Sequence, residues 1–122
     1  MSALTAFTTL LVQFFEDMSE TYPEEADIKS ACTALKALKR LNPKLIHTTF
    51  MNTVYTEFKE PIMRKDEEYL VKRAHEILEK DYSEMAYAFW IFDKHWKTMS
   101  DTNKNHVWNY CEKLIKIAEL VK

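Results

Sequence analysis

Histidines and carboxylates are the residues of this chain that could bind a metal ion. There are four histidines, and the acidic residues are spread along the whole length. A di-metal site in a helical bundle uses Glu-x-x-His pairs, and a helical zinc-protease site uses two histidines four positions apart. Neither spacing occurs here. Asp93 and His95 are two positions apart, so on a helix they diverge by about 200° and cannot share one ion. The sequence predicts no metal site and no cofactor.

The two cysteines, Cys32 and Cys111, could act as nucleophiles or form a disulfide. Each lies in an apolar helical stretch, and neither adjoins a helix start or a basic cluster that would lower the pKa of its thiol. We expect two buried, unreactive thiols in a reducing compartment, and the sequence leaves open whether they touch. The carboxylates are interpreted as solvated helix faces. No catalytic residue is predicted, and the chain is predicted not to be an enzyme.

Charge is divided between two neighbouring stretches. Residues 16–27 hold six acidic residues and no basic one, whereas residues 28–44 hold basic residues and no acidic one. The favoured interpretation is complementarity to the dipole of the second predicted helix. The alternative is a basic face that contacts phosphates or an acidic partner. With a net charge of −2, nucleic-acid binding is disfavoured but stays the second candidate function. The basic-face candidates are Lys29, Lys36, Lys39, Arg40 and Lys44.

The glycine count is zero. Glycine normally supplies tight hairpin turns, phosphate-binding loops, the dinucleotide fingerprint and the nucleophile elbow, so its absence disfavours all four together. Apolar residues instead recur every third or fourth position between prolines and Ser, Asp or Asn caps, which is typical of helices. The fold class is predicted to be all-α: a single domain over residues 1–122, folded as a compact bundle of five to six antiparallel helices.

Six helical segments are predicted. The first follows Ser2, and the second has Pro23 at its first position and ends near Leu41. The third follows Asn42 and Pro43 and is ended by Pro61. The fourth has an acidic opening turn, the fifth has a capping box, and the sixth has a cap immediately before its first turn. These three starts are assigned to Asp66, to Asp81 with Glu84, and to Asp101 or Thr102.

The fifth predicted helix is apolar on all sides. One face of this helix is a stripe that should face the core. The opposite face is also apolar and carries Tyr87, Trp90 and Ile91. Such a helix is either the central helix of its domain, which is the favoured interpretation, or one that binds a partner on its second face. In the second case Lys94 joins those three residues as a partner-binding candidate. The fifth and sixth helices are joined by a turn that contains the Asp101 cap. Trp96 and Trp108, on either side of this turn, are predicted to clamp the two helices together.

No signal peptide is recognisable at Met1 to Phe15, and no stretch approaches the ~20 apolar residues of a membrane span. We expect an intracellular protein, in the cytoplasm or nucleus of a host or within a virion, that is not secreted and does not contact a membrane.

The segment from His95 to Leu114 resembles one found near the C-termini of small helical proteins of nucleocytoplasmic large DNA viruses. Weaker similarity lies between Phe14 and Ile28 and in the Lys65-Asp66-Glu67 turn, so the resemblance covers about half of the chain. Cys111 stands where a leucine-like residue is expected. The resemblance implies a viral, helical, non-enzymatic protein and provides no catalytic residues to transfer. The similar positions are Trp96, Met99, Ser100, Asn103, Lys104, Val107, Trp108, Tyr110 and Leu114.

The leading prediction is an interaction or structural protein that binds another protein or itself. Its partner would lie within a virus particle, in a virus factory or among host factors. The alternative is a nucleic-acid accessory protein that uses the basic face.

Overall fold

The computed structural model describes residues 2–80 and 84–122, and all regular structure in those ranges is helical. The longer helices are α1 (Ala3–Thr21), α2 (Ala26–Leu41), α5 (Glu67–Lys80) and α7 (Asp101–Leu120). Between α2 and α5 lie α3 (Pro43–Phe50), a π-helical turn (Met51–Tyr55) and α4 (Thr56–Met63). Between α5 and α7 lie a 3-10 segment (Glu84–Phe89), α6 (Trp90–Lys94) and a second 3-10 turn (Trp96–Thr98). The all-α prediction is confirmed.

Side-chain caps begin several helices where polar residues precede apolar stripes. Ser2 accepts a hydrogen bond from the backbone N–H of Thr5 at 3.1 Å, and Asn42 accepts one from Leu45 at 3.3 Å. The predicted cap at Asp101 or Thr102 is wrong by one or two positions: Ser100 is the N-cap of α7, and its hydroxyl accepts from the N–H of Asn103 at 3.2 Å. A serine hydroxyl satisfies one of the free N–H groups of the first turn.

Two predicted boundaries are wrong because proline was given too much weight. Pro23 does not begin the second helix; it precedes the start of α2 at Ala26. Pro61 does not end the third predicted helix, because α4 continues past it to Met63. The spacing in that helix is also not strictly α-helical, since the π-helical turn interrupts it. Proline removes one backbone donor, but surrounding packing can hold it inside a helix, and Pro61 is itself buried.

The fifth predicted helix is also different in the structure. Its residues form a 3-10 segment, a five-residue α-helix and another 3-10 turn. The predicted capping box, Asp81 with Glu84, lies outside the described side chains. Large aromatic residues have low helix propensity, and here their packing sets the backbone path. The buried residues of the segment come from both of its predicted faces, and they are Met85, Ala86, Phe89, Trp90, Ile91, Phe92 and Trp96.

One hydrophobic cluster joins these elements. Helix α1 packs against α2, α3 and α7, while the 3-10 segment and α6 pack against α5. Phe7 and Phe15 of α1 are fully buried, as is Phe58 of α4. Lys65 closes the turn before α5 with φ of 55°, a left-handed conformation that glycine would usually supply. The described part of the chain contains no helix long and apolar enough to span a bilayer.

Candidate partner-binding groove

The predicted partner-binding residues are divided between the core and the surface. Trp90 and Ile91 are each 4% exposed, so they do not form a surface patch. Their burial agrees with the other interpretation, that this segment is central to its domain. Tyr87 is half-buried against the core, and Lys94 is exposed with its ammonium group 3.4 Å from a carboxylate oxygen of Glu25. The alternative interpretation, in which this segment exposes an aromatic patch to a partner, is therefore wrong.

The predicted basic face lies beside acidic residues of α1. The ammonium group of Lys36 is 3.1 Å from the carboxylate of Glu16, and that of Lys39 donates to the Thr9 hydroxyl at 3.0 Å. Lys29 and Lys36 share one shallow hollow with Glu16 and Glu20. The charge division in the sequence thus places opposite charges side by side on α1 and α2. Lys29, Arg40 and Lys44 are exposed.

The predicted clamp residues lie at the junction of α6 and α7. The ring centroids of Trp96 and Trp108 are 5.2 Å apart in an edge-to-face arrangement, and Phe92 packs against both rings. Both indoles are buried, whereas Asp101 is exposed in the first turn of α7 and is not its cap. The indole N–H of Trp96 is buried and has no hydrogen-bond partner among the described residues.

A groove lies where the C-terminal half of α1 meets the first half of α7 and the beginning of α6. Phe14, Asp17, Met18 and Thr21 follow the i, i+3, i+4, i+7 spacing that places side chains on one helix face. The α7 residues of the groove repeat this spacing. The volume is about 270 Å³. The lining residues are Phe14, Asp17, Met18, Glu20, Thr21, Tyr22, Ile91, Met99, Asn103, His106, Val107 and Tyr110.

Aromatic contacts hold both ends of the groove. At one end the ring of Tyr110 lies 5.1 Å from that of Phe14, and the Tyr110 hydroxyl donates to the carboxylate of Asp17. At the other end the ring of Tyr22 stacks on His95 at 3.9 Å and meets Trp90 edge-on at 5.3 Å. These contacts tie α1 to α6 and α7 at two separate points. The helices that form the walls of the groove are therefore held against each other at both of its ends.

The floor of the groove is apolar and its rim is acidic. Met18, Ile91 and Val107 are 2%, 4% and 5% exposed and form the floor. Asp17 and Glu20 supply two carboxylates to the rim, and no lysine or arginine lines the groove. The potential at its mouth is therefore negative.

Two tyrosines of the rim have raised pKa values. Burial, and next the hydrogen bond to Asp17, raise the pKa of Tyr110 to about 12. Burial and the nearby charge of Glu24 raise the pKa of Tyr22. Both hydroxyls therefore stay protonated near neutral pH, and the groove offers two phenol groups beside its carboxylates.

Sequence reasoning missed the groove because it assigned Phe14, Met18 and Val107 only to the core. The matching i, i+3, i+4, i+7 spacings on two helices were a usable signal. However, nothing in the sequence shows that Asp17 and Tyr110 lie side by side, because they are 93 positions apart.

The other polar clusters connect elements of the fold. Both carboxylate oxygens of Glu57 accept from the guanidinium of Arg73, at 2.5 and 2.9 Å, and Tyr69 donates to the same carboxylate at 2.7 Å. These bonds join α4 to α5, and the hydrogen bond from Arg73 lowers the pKa of Glu57. His75 connects α5 to α6 through Asp93, at 3.0 Å.

Both cysteines are free and buried. Burial raises the pKa of the Cys111 thiol to about 12, and burial is also the main cause of the raised pKa of Cys32. These thiols therefore stay protonated near neutral pH, which is a poor state for a nucleophile.

Within the described residues, no group of three or more His, Cys, Asp or Glu side chains has an arrangement that could hold a metal ion. Comparison with known proteins finds no matching family model, curated protein or solved structure.

Proposed function

We propose that this chain is a non-enzymatic interaction domain, folded as one compact antiparallel bundle, whose docking surface for another protein is the groove between α1 and α7. The groove itself is the observation that supports this function. It combines a buried apolar floor with a polar rim, the arrangement found at the centre of protein interfaces.

The size of the groove suits an anchoring side chain. Its volume of about 270 Å³ lies just below the range of ~300 to 1,000 Å³ typical of small-molecule pockets. An interface of standard size extends well beyond such a groove, which would receive one or two residues at its centre. The exposed neighbours Asn103 and His106 would then form part of the surrounding rim.

For the cellular setting, we propose an intracellular protein of a large DNA virus that binds a virion or virus-factory component or a host factor. The support is the resemblance of the segment from His95 to Leu114, whose similar positions include four residues of the groove. Those residues are Met99, Asn103, Val107 and Tyr110.

Nucleic-acid binding is the weaker candidate. Phosphate contacts need exposed cations that are not already neutralised. Among the basic-face candidates Lys36 is paired with Glu16, and the net charge of −2 disfavours binding to a polyanion. We therefore propose a contact with protein.

Site-specific photocrosslinking in cells that produce the protein tests this function. A photoreactive residue replaces His106, which lines the groove, or Asn105 as the control. Both positions are exposed on α7, but Asn105 points about 100° around the helix and does not line the groove. We expect one adduct of defined mass from position 106 and none from position 105.

A second variant shows whether the groove itself is occupied. In the chain with the photoreactive residue at position 106, Asn103→Trp places a large side chain at the mouth of the groove, and we expect the adduct to disappear. Equal crosslinking from both positions, or an adduct that persists with Asn103→Trp, contradicts the proposal. An adduct with the mass of two copies of this chain would identify self-association instead, and this also contradicts it.

A further inference from the structure

The proposed docking groove has an electrostatic preference that limits the chemistry of its partner. Asp17 and Glu20 line it, and neither lysine nor arginine lies among its lining residues. Glu20 is exposed and has no ion pair among the described residues. An anionic ligand would meet repulsion here, while a positively charged group would meet two carboxylates.

Aromatic rings add a second preference in the same direction. Phe14, Tyr22 and Tyr110 all contribute to the lining. The faces of aromatic rings attract ammonium and guanidinium groups, by about 0.5 to 1 kcal/mol at exposed sites and more where water is excluded. Carboxylates and aromatic rings around one cavity therefore favour an organic cation over a neutral group of the same shape.

The apolar floor of the groove indicates which kind of side chain carries the positive charge. Met18 and Val107 present thioether and aliphatic surface at the base of the groove. Lysine and arginine side chains combine an apolar stem with a charged head, so the stem can cover the floor while the head stays at the acidic rim.

We infer that the groove receives the cationic side chain of a lysine or arginine from a basic segment of the partner protein. This inference rests on the proposed function and adds the chemical class of the partner. The floor of the groove takes up the methylene stem, and the charged head lies beside Asp17 and Glu20.

Nuclear magnetic resonance titration of the full chain with three short peptides tests the inference. The peptides are acetylated, amidated heptamers of alanine and serine with a central lysine, norleucine or glutamate. Norleucine keeps the apolar stem and removes the charge. We expect the lysine peptide to shift the amide signals of Thr21 and Asn103, and to bind about tenfold more tightly than the norleucine peptide because it adds aromatic and carboxylate contacts. The glutamate peptide should bind most weakly.

Two charge-neutralising variants locate the effect. Glu20→Gln and Asp17→Asn each remove one negative charge while keeping a side chain of the same shape, and each should weaken lysine-peptide binding about threefold. Glu68→Gln is the matched control, because Glu68 is an exposed glutamate in the first turn of α5 and does not line the groove. The control should bind like the parent chain. Because Glu20 is exposed, its variant should retain the fold, which the amide spectrum itself verifies.

Several results would overturn the inference. These are equal binding of the lysine and norleucine peptides, no groove shifts with any peptide, and equal loss in Glu20→Gln and Glu68→Gln. Light scattering that shows a dimer dissociated by Glu20→Gln would mean that a second copy occupies the groove, which also overturns it. Crosslinking of a partner at position 106 alongside a negative peptide titration would leave the proposed function standing and remove only the cationic anchor.

Discussion

Replacing Trp96 and Trp108 by leucine, singly and together, measures how much the contact between the two indoles stabilises the fold. Both residues are buried, so each single change should lower the free energy of unfolding by about 2 to 3 kcal/mol, somewhat less than the ~3 to 5 kcal/mol typical of aromatic-to-alanine changes. Their ring centroids are 5.2 Å apart, inside the range in which edge-to-face pairs add about 1 kcal/mol beyond burial. The double variant should therefore lose about 1 kcal/mol less than the sum of the single losses.

Urea unfolding followed by circular dichroism at the helix band is the suitable assay, because tryptophan fluorescence changes with the substitutions themselves. Each single variant should also melt about 10 °C lower than the parent chain. The control pair is Trp96→Leu with Phe7→Leu, since Phe7 contacts other residues, His47 and Phe50. Those two losses should add within ~0.5 kcal/mol. A coupling near zero for the two tryptophans, or an equal coupling in the control pair, would refute the clamp.

Two further predictions concern charge. The pKa of His75 is raised by its hydrogen bond to Asp93 and then by Glu79, so the stabilisation from its protonated form is present at low pH and is lost as pH rises through the raised value. Proton NMR should show His75 titrating above 6.5 and Asp93→Asn bringing its pKa down; titration at or below 6.5 in the parent chain contradicts this. For the basic face, we expect no retention on duplex DNA at low salt, since the net charge of the chain is −2 and Lys36 is already paired with Glu16. Retention that weakens steeply with added salt would favour the nucleic-acid alternative.

The helical starts could be predicted where one polar side chain immediately precedes an apolar stripe. Ser2 and Asn42 are such positions, and both accept the expected backbone hydrogen bonds. Prediction failed where several cap-type residues are adjacent. Ser100, Asp101 and Thr102 can each act as a helix cap, and in the structure it is Ser100 that accepts from the N–H of Asn103.

The irregular aromatic segment shows the limit of periodicity. Apolar spacing indicated that Phe89, Phe92 and Trp96 face the core, and all three are buried. The same spacing could not reveal that Trp90 and Ile91 are also buried, because a residue on the second face is exposed or covered according to which neighbour packs there. Here Tyr22 packs against Trp90.

By itself, the sequence determined that this chain is helical, because a glycine-free chain with apolar residues every third or fourth position favours no other regular structure. It also determined which faces of the long regular helices are buried, since burial there follows the helical period. Only the tertiary structure decided where the groove lies. The groove depends on the contact of α1 with α7 between residues far apart in sequence, such as Asp17 and Tyr110, and local spacing contains no information about which helices become neighbours.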